Sequence, residues 1–439
     1  MARRRAHAPL HVYMNNRRVG MLTRRANGAI EYAYAKDWLN WEHAMPLSLS
    51  LPLSEVPYRG QAVSAVFENL LPDSDRLRRL VAEKVGARGT DAYNMLTKIG
   101  HDCVGALQFI AEDEEVPDAV GRIEGEAVDA VAIEKILNGL GQAPLGLTRD
   151  DAFRISVAGA QEKTALLWHD GQWLKPHGTT PTTHLIKTQI GKLPNGVDLS
   201  DSVENEYYCL LLTAAFGLPV NTASIETFGE TKALVIERFD RRWTKDGRLL
   251  RLPQEDCCQA LSVPPTLKYQ NEGGPGMYDV LNLLKGSDTP IEDQDIFLKA
   301  QLIFWLMGAT DAHAKNFSVF LGPGGSYRMT PLYDILTAEG ALHAHQIERK
   351  QMKLAMSVGN SRHYRFDQIH GRHFVQTAMR AGLSRKRVTG LVDEIATRAP
   401  EALETAANAL PKAFPQTIVD IVSRAVLDRL DGLKLRSTA

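Results

Sequence analysis

The chain has little cysteine, no long apolar run and almost no net charge, and each lack removes a class of protein. Its four cysteines, Cys103, Cys209, Cys257 and Cys258, form no Cys-x-x-Cys pair. The adjacent Cys257 and Cys258 could close only a strained vicinal ring, so thiols in a reducing cytoplasm are expected rather than a disulfide framework. No stretch approaches the roughly 18 apolar residues of a membrane span. The basic start Met1-Ala2-Arg3-Arg4-Arg5 runs into Ala6-His7-Ala8-Pro9 rather than an apolar segment, so no export signal is expected either. With 51 Lys+Arg against 52 Asp+Glu the net charge is -1, which argues against a wholesale nucleic-acid or membrane-surface binder and leaves room only for a local basic patch.

What is present is ordinary globular material, 44% hydrophobic and 23% charged, in a chain of 439 residues that is too long for one core and should hold two or three packed units. Leu10-His11-Val12-Tyr13-Met14, Val19-Gly20-Met21-Leu22 and Ile30-Glu31-Tyr32-Ala33-Tyr34 alternate as strands of a small antiparallel sheet, with Asn15-Asn16-Arg17-Arg18 as a turn. Asp73 or Ser74 can cap a helix reaching Val85, and another begins near Asp91. Residues 112–128, rich in Glu, Asp and Pro, read as a solvated connector.

The stretch that carries chemistry is Thr310-Asp311-Ala312-His313-Ala314-Lys315-Asn316. A strand through Leu321, a Gly322-Pro323-Gly324-Gly325 turn and a returning strand ending in Leu332-Tyr333-Asp334 follow it. An acid, an amide five residues later and a second acid delivered by a hairpin are what phosphoryl transfer uses: one carboxylate to accept the proton of the attacking hydroxyl, and an Asn and an Asp to hold magnesium. By itself Asp-x-x-x-x-Asn arises about once by chance in a chain of this composition, so the reading depends on its surroundings.

Those surroundings come in a suggestive order. Phe153 to Trp168 reads as strand, small-residue loop and strand. The loop suits backbone N–H groups approaching an anion, although it matches neither Gly-rich phosphate motif and a plain hairpin would give the same pattern. His169-Asp170-Gly171-Gln172 is a two-residue turn. Thr182 to Lys187 is a strand ending in Lys187, where kinases place the cation that grips the α- and β-phosphates. Ser200-Asp201-Ser202 caps a helix that Gly217 stops, and on it Glu204 or Glu206 could pair with such a lysine. Either could equally be a first-turn acid suited to the helix dipole. The strand Lys232–Glu237 leads into Glu237-Arg238-Phe239, placed as a kinase hinge would be. From about residue 253 the pattern turns helical, and Ile296–Met307 is an apolar helix feeding into Asp311. About residues 373–436 form a helical bundle punctuated by Pro400, Pro411 and Pro415.

Ser156-Val157-Ala158-Gly159-Ala160-Gln161-Glu162-Lys163-Thr164, Glu204-Asn205-Glu206-Tyr207-Tyr208, Glu237 to Trp243, Arg251-Leu252-Pro253-Gln254-Glu255-Asp256 and Gly308 to Ser318 together resemble the HipA serine/threonine kinases, the toxin halves of bacterial toxin–antitoxin pairs. Tyr13-Met14-Asn15-Asn16, Pro46 to Pro52 and Glu68 to Ser74 extend the likeness over essentially the whole chain. The resemblance implies an α+β, two-lobed protein-kinase-like fold with a β-rich N-terminal lobe and an all-helical C-terminal lobe. Its divisions would be 1–110, 111–255 and 256–439.

The resemblance makes Asp311 the catalytic base, Asn316 and Asp334 the magnesium ligands and Lys187 the phosphate-gripping cation. Val157, Ala158, Gly159, Ala160, Gln161 and Glu162 would form the phosphate loop, and Glu237, Arg238 and Phe239 the adenine hinge. His313, Lys315, Asn316 and Tyr333 would make further nucleotide contacts, and Ser156 would be autophosphorylated. The cofactors would be ATP and magnesium. The partners would be a HipB-type helix-turn-helix antitoxin, operator DNA through that complex, and a protein of the translation machinery of the aminoacyl-tRNA synthetase class, glutamate–tRNA ligase foremost. Local support for DNA contact is the basic run Arg362, His363, Arg365, His370, Arg372, His373, Arg380, Arg385, Lys386 and Arg387. The resemblance places the DNA contacts at Met379, Arg380, Ala381 and Gly382. Two alternatives stay open: a kinase of a small molecule or lipid, and a non-catalytic ATP-binding corepressor.

Overall fold

The computed structural model describes residues 7–112, 114, 123–147, 155–156, 158 and 161–434. Its residues group into two compact units that do not follow the chain order. One comprises 1–188, 226–266 and 318–327, the other 189–225, 267–317 and 328–439. The expected range 111–255 is therefore divided, because the segment 189–225 belongs with the helical unit.

Among the described residues the first unit holds two small sheets and two larger ones. In one, Tyr58–Arg59, Ile30–Tyr34, Arg17–Arg24, Leu10–Met14 and Leu107–Ala111 lie in that order, antiparallel. Asn15 and Asn16 turn the first hairpin at φ 46° and 63°, a left-handed pair that asparagine tolerates. Against this sheet pack Gln61–Glu68, Asp75–Val85 and Ala92–Ile99, around Tyr32, Trp38, Phe67 and Phe109. The Ser74 hydroxyl accepts from the Leu77 N–H and Gly86 ends that helix at φ 65°, as the sequence predicts, while Asp91 caps the next through Asn94.

In the second sheet Thr231–Glu237, His184–Thr188, Lys163–His169, Gln172–Pro176 and Gly125–Val128 are neighbours in that order. Asp170 and Gly171 make the predicted two-residue turn. The helix Ala130–Gly139 lays Ile133 and Leu137 on Leu166, Ile186 and Val235. The connector expected over 112–128 thus ends in a strand, because Gly125–Val128 finds a partner in Gln172–Pro176 that local composition does not reveal. Gln254–Asp256, expected at the start of helical structure, is likewise a strand paired with Ser318–Phe320.

The second unit is mainly helical. Pro290–Met307 is buried nearly all round, which marks a central helix. Ser202–Ala215, Gly371–Arg380, Arg385–Asn408 and Gln416–Leu433 pack on it. Pro400 does not punctuate the bundle but lies inside Arg385–Asn408, where the buried stripe Ala399, Ala402, Leu403 and Ala406 carries the helix past a missing N–H. The unit is not wholly helical, since Lys353–Val358 pairs with His363–Arg365. The return strand before Asp334 is Tyr327–Met329, shorter than the pattern suggested. Among the described residues no helix is long and apolar enough to cross a membrane.

Candidate active site

In the helical unit the approach to Asp311 is fixed from both sides. The central helix stops at Gly308, φ 78°, where an added Cβ would lie 2.3 Å from the Glu339 carboxylate. Ala309 then bridges Thr337, whose hydroxyl donates to the Met307 carbonyl at 2.5 Å. Thr337 is gripped in turn by Asn205: its N–H donates to Asn205 Oδ1 at 2.9 Å and its carbonyl accepts from Asn205 Nδ2 at 2.8 Å.

From there the chain closes on itself. The Asp311 carbonyl accepts the His313 N–H at 2.9 Å and the Asn316 Nδ2 at 2.8 Å, which is what the five-residue spacing achieves. The Asn316 amide nitrogen is spent on the backbone, leaving Oδ1 as its acceptor. His313 is buried, with Nε2 3.9 Å from Asp311 Oδ2, whereas the Asp311 side chain is 54% exposed. Phe317 anchors the loop on Phe297, ring centroids 4.8 Å apart. Tyr333 donates to the Lys315 carbonyl at 3.0 Å, and Lys315 is buried. Asp334 sits at φ 59°, in a left-handed conformation that few side chains but Asn and Asp adopt readily. Asn316 and Asp334 supply hard oxygen donors of the kind magnesium takes. Among the described residues no group of three or more His, Cys, Asp or Glu gathers to hold a metal ion. A magnesium ion held by these two would therefore complete its shell from phosphate and water.

In the sheet-rich unit Lys187 is buried on the strand His184–Thr188, directly opposite Lys163. Lys163 Nζ donates to the Ala158 carbonyl at 2.8 Å, and Gln161 Nε2 to the Thr188 carbonyl at 2.9 Å, so Ala158 and Gln161 are each tied to one of these two strands. Glu162 is exposed. Val157, Gly159 and Ala160 lie outside the described residues. Ser156 is wholly buried; its hydroxyl donates to the Leu70 carbonyl at 2.7 Å and its N–H to the Asp102 carbonyl at 3.0 Å.

Glu237 is exposed at the strand end, and Phe239 meets Phe320 edge-on at 5.6 Å. Arg238 has a different setting from an open hinge residue. Its N–H donates to the Thr183 carbonyl at 2.8 Å, and its guanidinium forks onto Asp240 at 2.9 and 2.8 Å inside a buried ionic network. The hub of that network is Asp102, which accepts from Arg241 at 2.8 Å, Arg251 at 2.9 Å, Arg238 at 3.3 Å and the Thr182 hydroxyl at 2.7 Å. Burial pushes the Asp102 carboxyl up, but Arg241, Arg251 and Arg238 outweigh it and hold the group far below the usual carboxylate range.

Of the residues expected at DNA, Met379 is exposed and the Arg380 guanidinium lies 4.8 Å over the Tyr278 ring, but Ala381 is fully buried and Gly382 turns the chain at φ 93°. Part of the basic run is spent internally: Arg365 pairs with Asp367 and Arg387 with Asp295. His373 is pushed down to about 4 by burial and by its neighbours His363, Arg372 and His370.

Comparison with known proteins decides the family. Residues 155–403 match the HipA-like C-terminal domain and residues 10–110 the HipA N-terminal domain. The chain belongs to the HipA family. It is 34% identical over 403 residues to Y4mE of Sinorhizobium fredii, covering 90% of this chain and 92% of that one. It is 29% identical over 394 residues to the serine/threonine-protein kinase toxin HipA of Shewanella oneidensis, covering 86% of this chain and 84% of that one. A Shewanella oneidensis MR-1 HipA, solved with HipB and its operator DNA, superposes with a TM-score of 0.77 at 24% identity, covering 96% of each chain. The fold is thereby the α+β, protein-kinase-like fold of HipA.

Two side chains in contact with this loop or its support escaped the sequence reading. Asn205 could have been noticed as an amide set between Glu204 and Glu206 in the first turn of the helix Ser202–Ala215. Tyr269 carried no signal, because its meaning depends on Asp311, 42 positions away.

Proposed function

We propose that this chain is the toxin of a toxin–antitoxin pair: an ATP- and magnesium-dependent serine/threonine protein kinase that stops growth by phosphorylating a translation component of the aminoacyl-tRNA synthetase class, glutamate–tRNA ligase foremost. The observation that carries the reading is the Asp311 loop, in which a half-exposed carboxylate stands on a backbone pinned by Asn316. Asp311 would accept the acceptor's proton, Lys187 would hold the α- and β-phosphates, and Asn316 and Asp334 would hold magnesium. Magnesium, when bound, neutralises phosphate charge. Val157 to Glu162 would line the phosphates and Glu237 to Phe239 the adenine. The direct contribution of Asp311 is modest beside positioning and charge stabilisation.

The reading extends to partners. The neighbour solved with HipB and operator DNA supports a HipB-type antitoxin partner and operator binding through it; the helix-turn-helix character of that partner and contacts at Met379 and Arg380 belong to the proposal. Ser156 would be the autophosphorylation site. Because its hydroxyl is internal, the segment must leave its place on Leu70 before modification. A phosphate with nearly two charges could not return there.

The test is intact mass spectrometry after incubation with ATP and magnesium, beside Asp311→Asn. Phosphate on Ser156 of the wild type and none on the variant is the expected result. Equal incorporation by both would remove Asp311 from the mechanism. Phosphate on added metabolites but on no protein would move the assignment to a small-molecule kinase. Operator binding with no transfer under any condition would make the chain a corepressor.

A further inference from the structure

The Tyr269 hydroxyl donates to Asp311 Oδ1 at 2.5 Å, so a phenol O–H occupies the carboxylate proposed to receive the acceptor's proton. The ring is not loosely placed. Its edge meets the buried His313 ring at 4.9 Å and 84°, and Lys268 Nζ lies 5.5 Å over its face. The backbone behind it folds into a tight turn: the Tyr269 carbonyl accepts from Glu272 at 3.1 Å and Gly274 at 2.9 Å. The neighbouring Gln270 side chain accepts from the Ser357 N–H at 2.6 Å. Gly274 has no room for a side chain, since a Cβ there would come within 1.9 Å of the Leu267 carbonyl oxygen and 2.8 Å of the Tyr269 one.

We propose that Tyr269 is a gate on the acceptor side of the site: its phenol stands where the acceptor hydroxyl must donate, and a protein acceptor binds only by displacing it from Asp311. The inference rests on the kinase reading of Asp311. In the transfer itself the acceptor oxygen gives its proton to Asp311 and bonds to the γ-phosphorus as the bond to the departing ADP breaks. An acceptor therefore competes with Tyr269 for the Asp311 carboxylate. A hydrogen bond to an ionised group is among the stronger ones, so the gate raises the acceptor concentration needed without affecting ATP. It favours an acceptor whose own chain can draw the 265–276 segment aside over a free serine side chain.

Two variants separate the gate from its alternatives. Tyr269→Phe keeps the ring against His313 and removes only the hydroxyl, whereas Gly274→Ala keeps the hydroxyl and forces open the turn that presents it. Initial rates are measured with dephosphorylated casein as a generic serine acceptor, varying casein and ATP separately. Both variants are expected to lower KM for casein about tenfold, with kcat and KM for ATP within about twofold of wild type. An unchanged KM for casein in both variants overturns the gate. A fall in kcat at saturating casein would make Tyr269 a positioning residue for Asp311 instead, and phosphate mapped to Tyr269 would make it an acceptor; either result also overturns the gate. Absence of transfer by the wild type, or transfer by Asp311→Asn at the wild-type rate, defeats the kinase reading itself and the gate with it.

Discussion

Asp102 and Asp311 are both hydrogen-bonded aspartates, yet one is 2% exposed and surrounded by three guanidinium groups, while the other is 54% exposed and takes a phenol. The difference is electrostatic. In the interior a carboxylate survives only when its desolvation is matched by partners, and once matched its proton affinity is so low that it can serve as no base. At the half-wet loop the carboxylate stays within reach of solvent and contributes little to stability. One unit has thus fixed its charge as structure, and the other presents a charge that the proposed reaction would use.

The comparison can be broken most forcefully at its buried end. Asp102→Ala strands Arg238, Arg241 and Arg251 without their common anion, and should cost about 3–5 kcal/mol, read from the midpoint of urea unfolding. Arg251→Lys keeps the charge but loses the fork that reaches both Asp102 and the Thr179 carbonyl. It should cost about 1–2 kcal/mol. If it is silent, charge alone rather than geometry holds the network.

A third prediction uses pH. Burial pushes Glu255 up to about 8, with its Oε1 accepting the Leu49 N–H at 2.7 Å. The folded chain then keeps a proton that the unfolded chain releases above about 4.5, so this contribution to stability declines as pH rises from about 4.5 to 8. Glu255→Gln should flatten that slope in denaturation series taken across the range. His373, held at about 4 against 6.5, slopes the other way: its contribution is present above 6.5 and is lost as pH falls toward 4. Asp311→Asn is the smallest perturbation of the fold, within about 0.5 kcal/mol. Its loss should fall on turnover, about 10²–10⁴-fold, with ATP binding retained in a titration.

The same contrast explains what the sequence disclosed. Caps and turns were legible because Ser74, Asp91, Asn15-Asn16 and Asp170-Gly171 act on neighbours within three residues. The Asp311–Asn316 pair was legible because the side chain and its backbone acceptor lie on one short loop. The ionic hub was not, because Asp102 meets Arg238 and Arg251 across 136 and 149 positions and nothing local marks it as a hub. Arg238 looked like hinge material from its place after a strand, and only tertiary packing reveals that its guanidinium faces inward. Pro400 and Gln254–Asp256 failed for the same reason, since burial and a distant strand partner overrode local preference.

If Ser156 is the phosphate acceptor proposed above, its burial would give the protein a sense of time. A hydroxyl sealed beneath Leu70 and tethered by its own N–H to Asp102 cannot be reached on encounter, whatever the concentration of the reagent that seeks it. Under the proposed autophosphorylation, its modification would be paced by how often the segment opens, so a burst of nucleotide shorter than that interval would leave the residue untouched and a sustained supply would be recorded. The wall around one serine would then act as a filter on duration, and loosening the Leu70 contact should shorten the delay without changing the chemistry that follows.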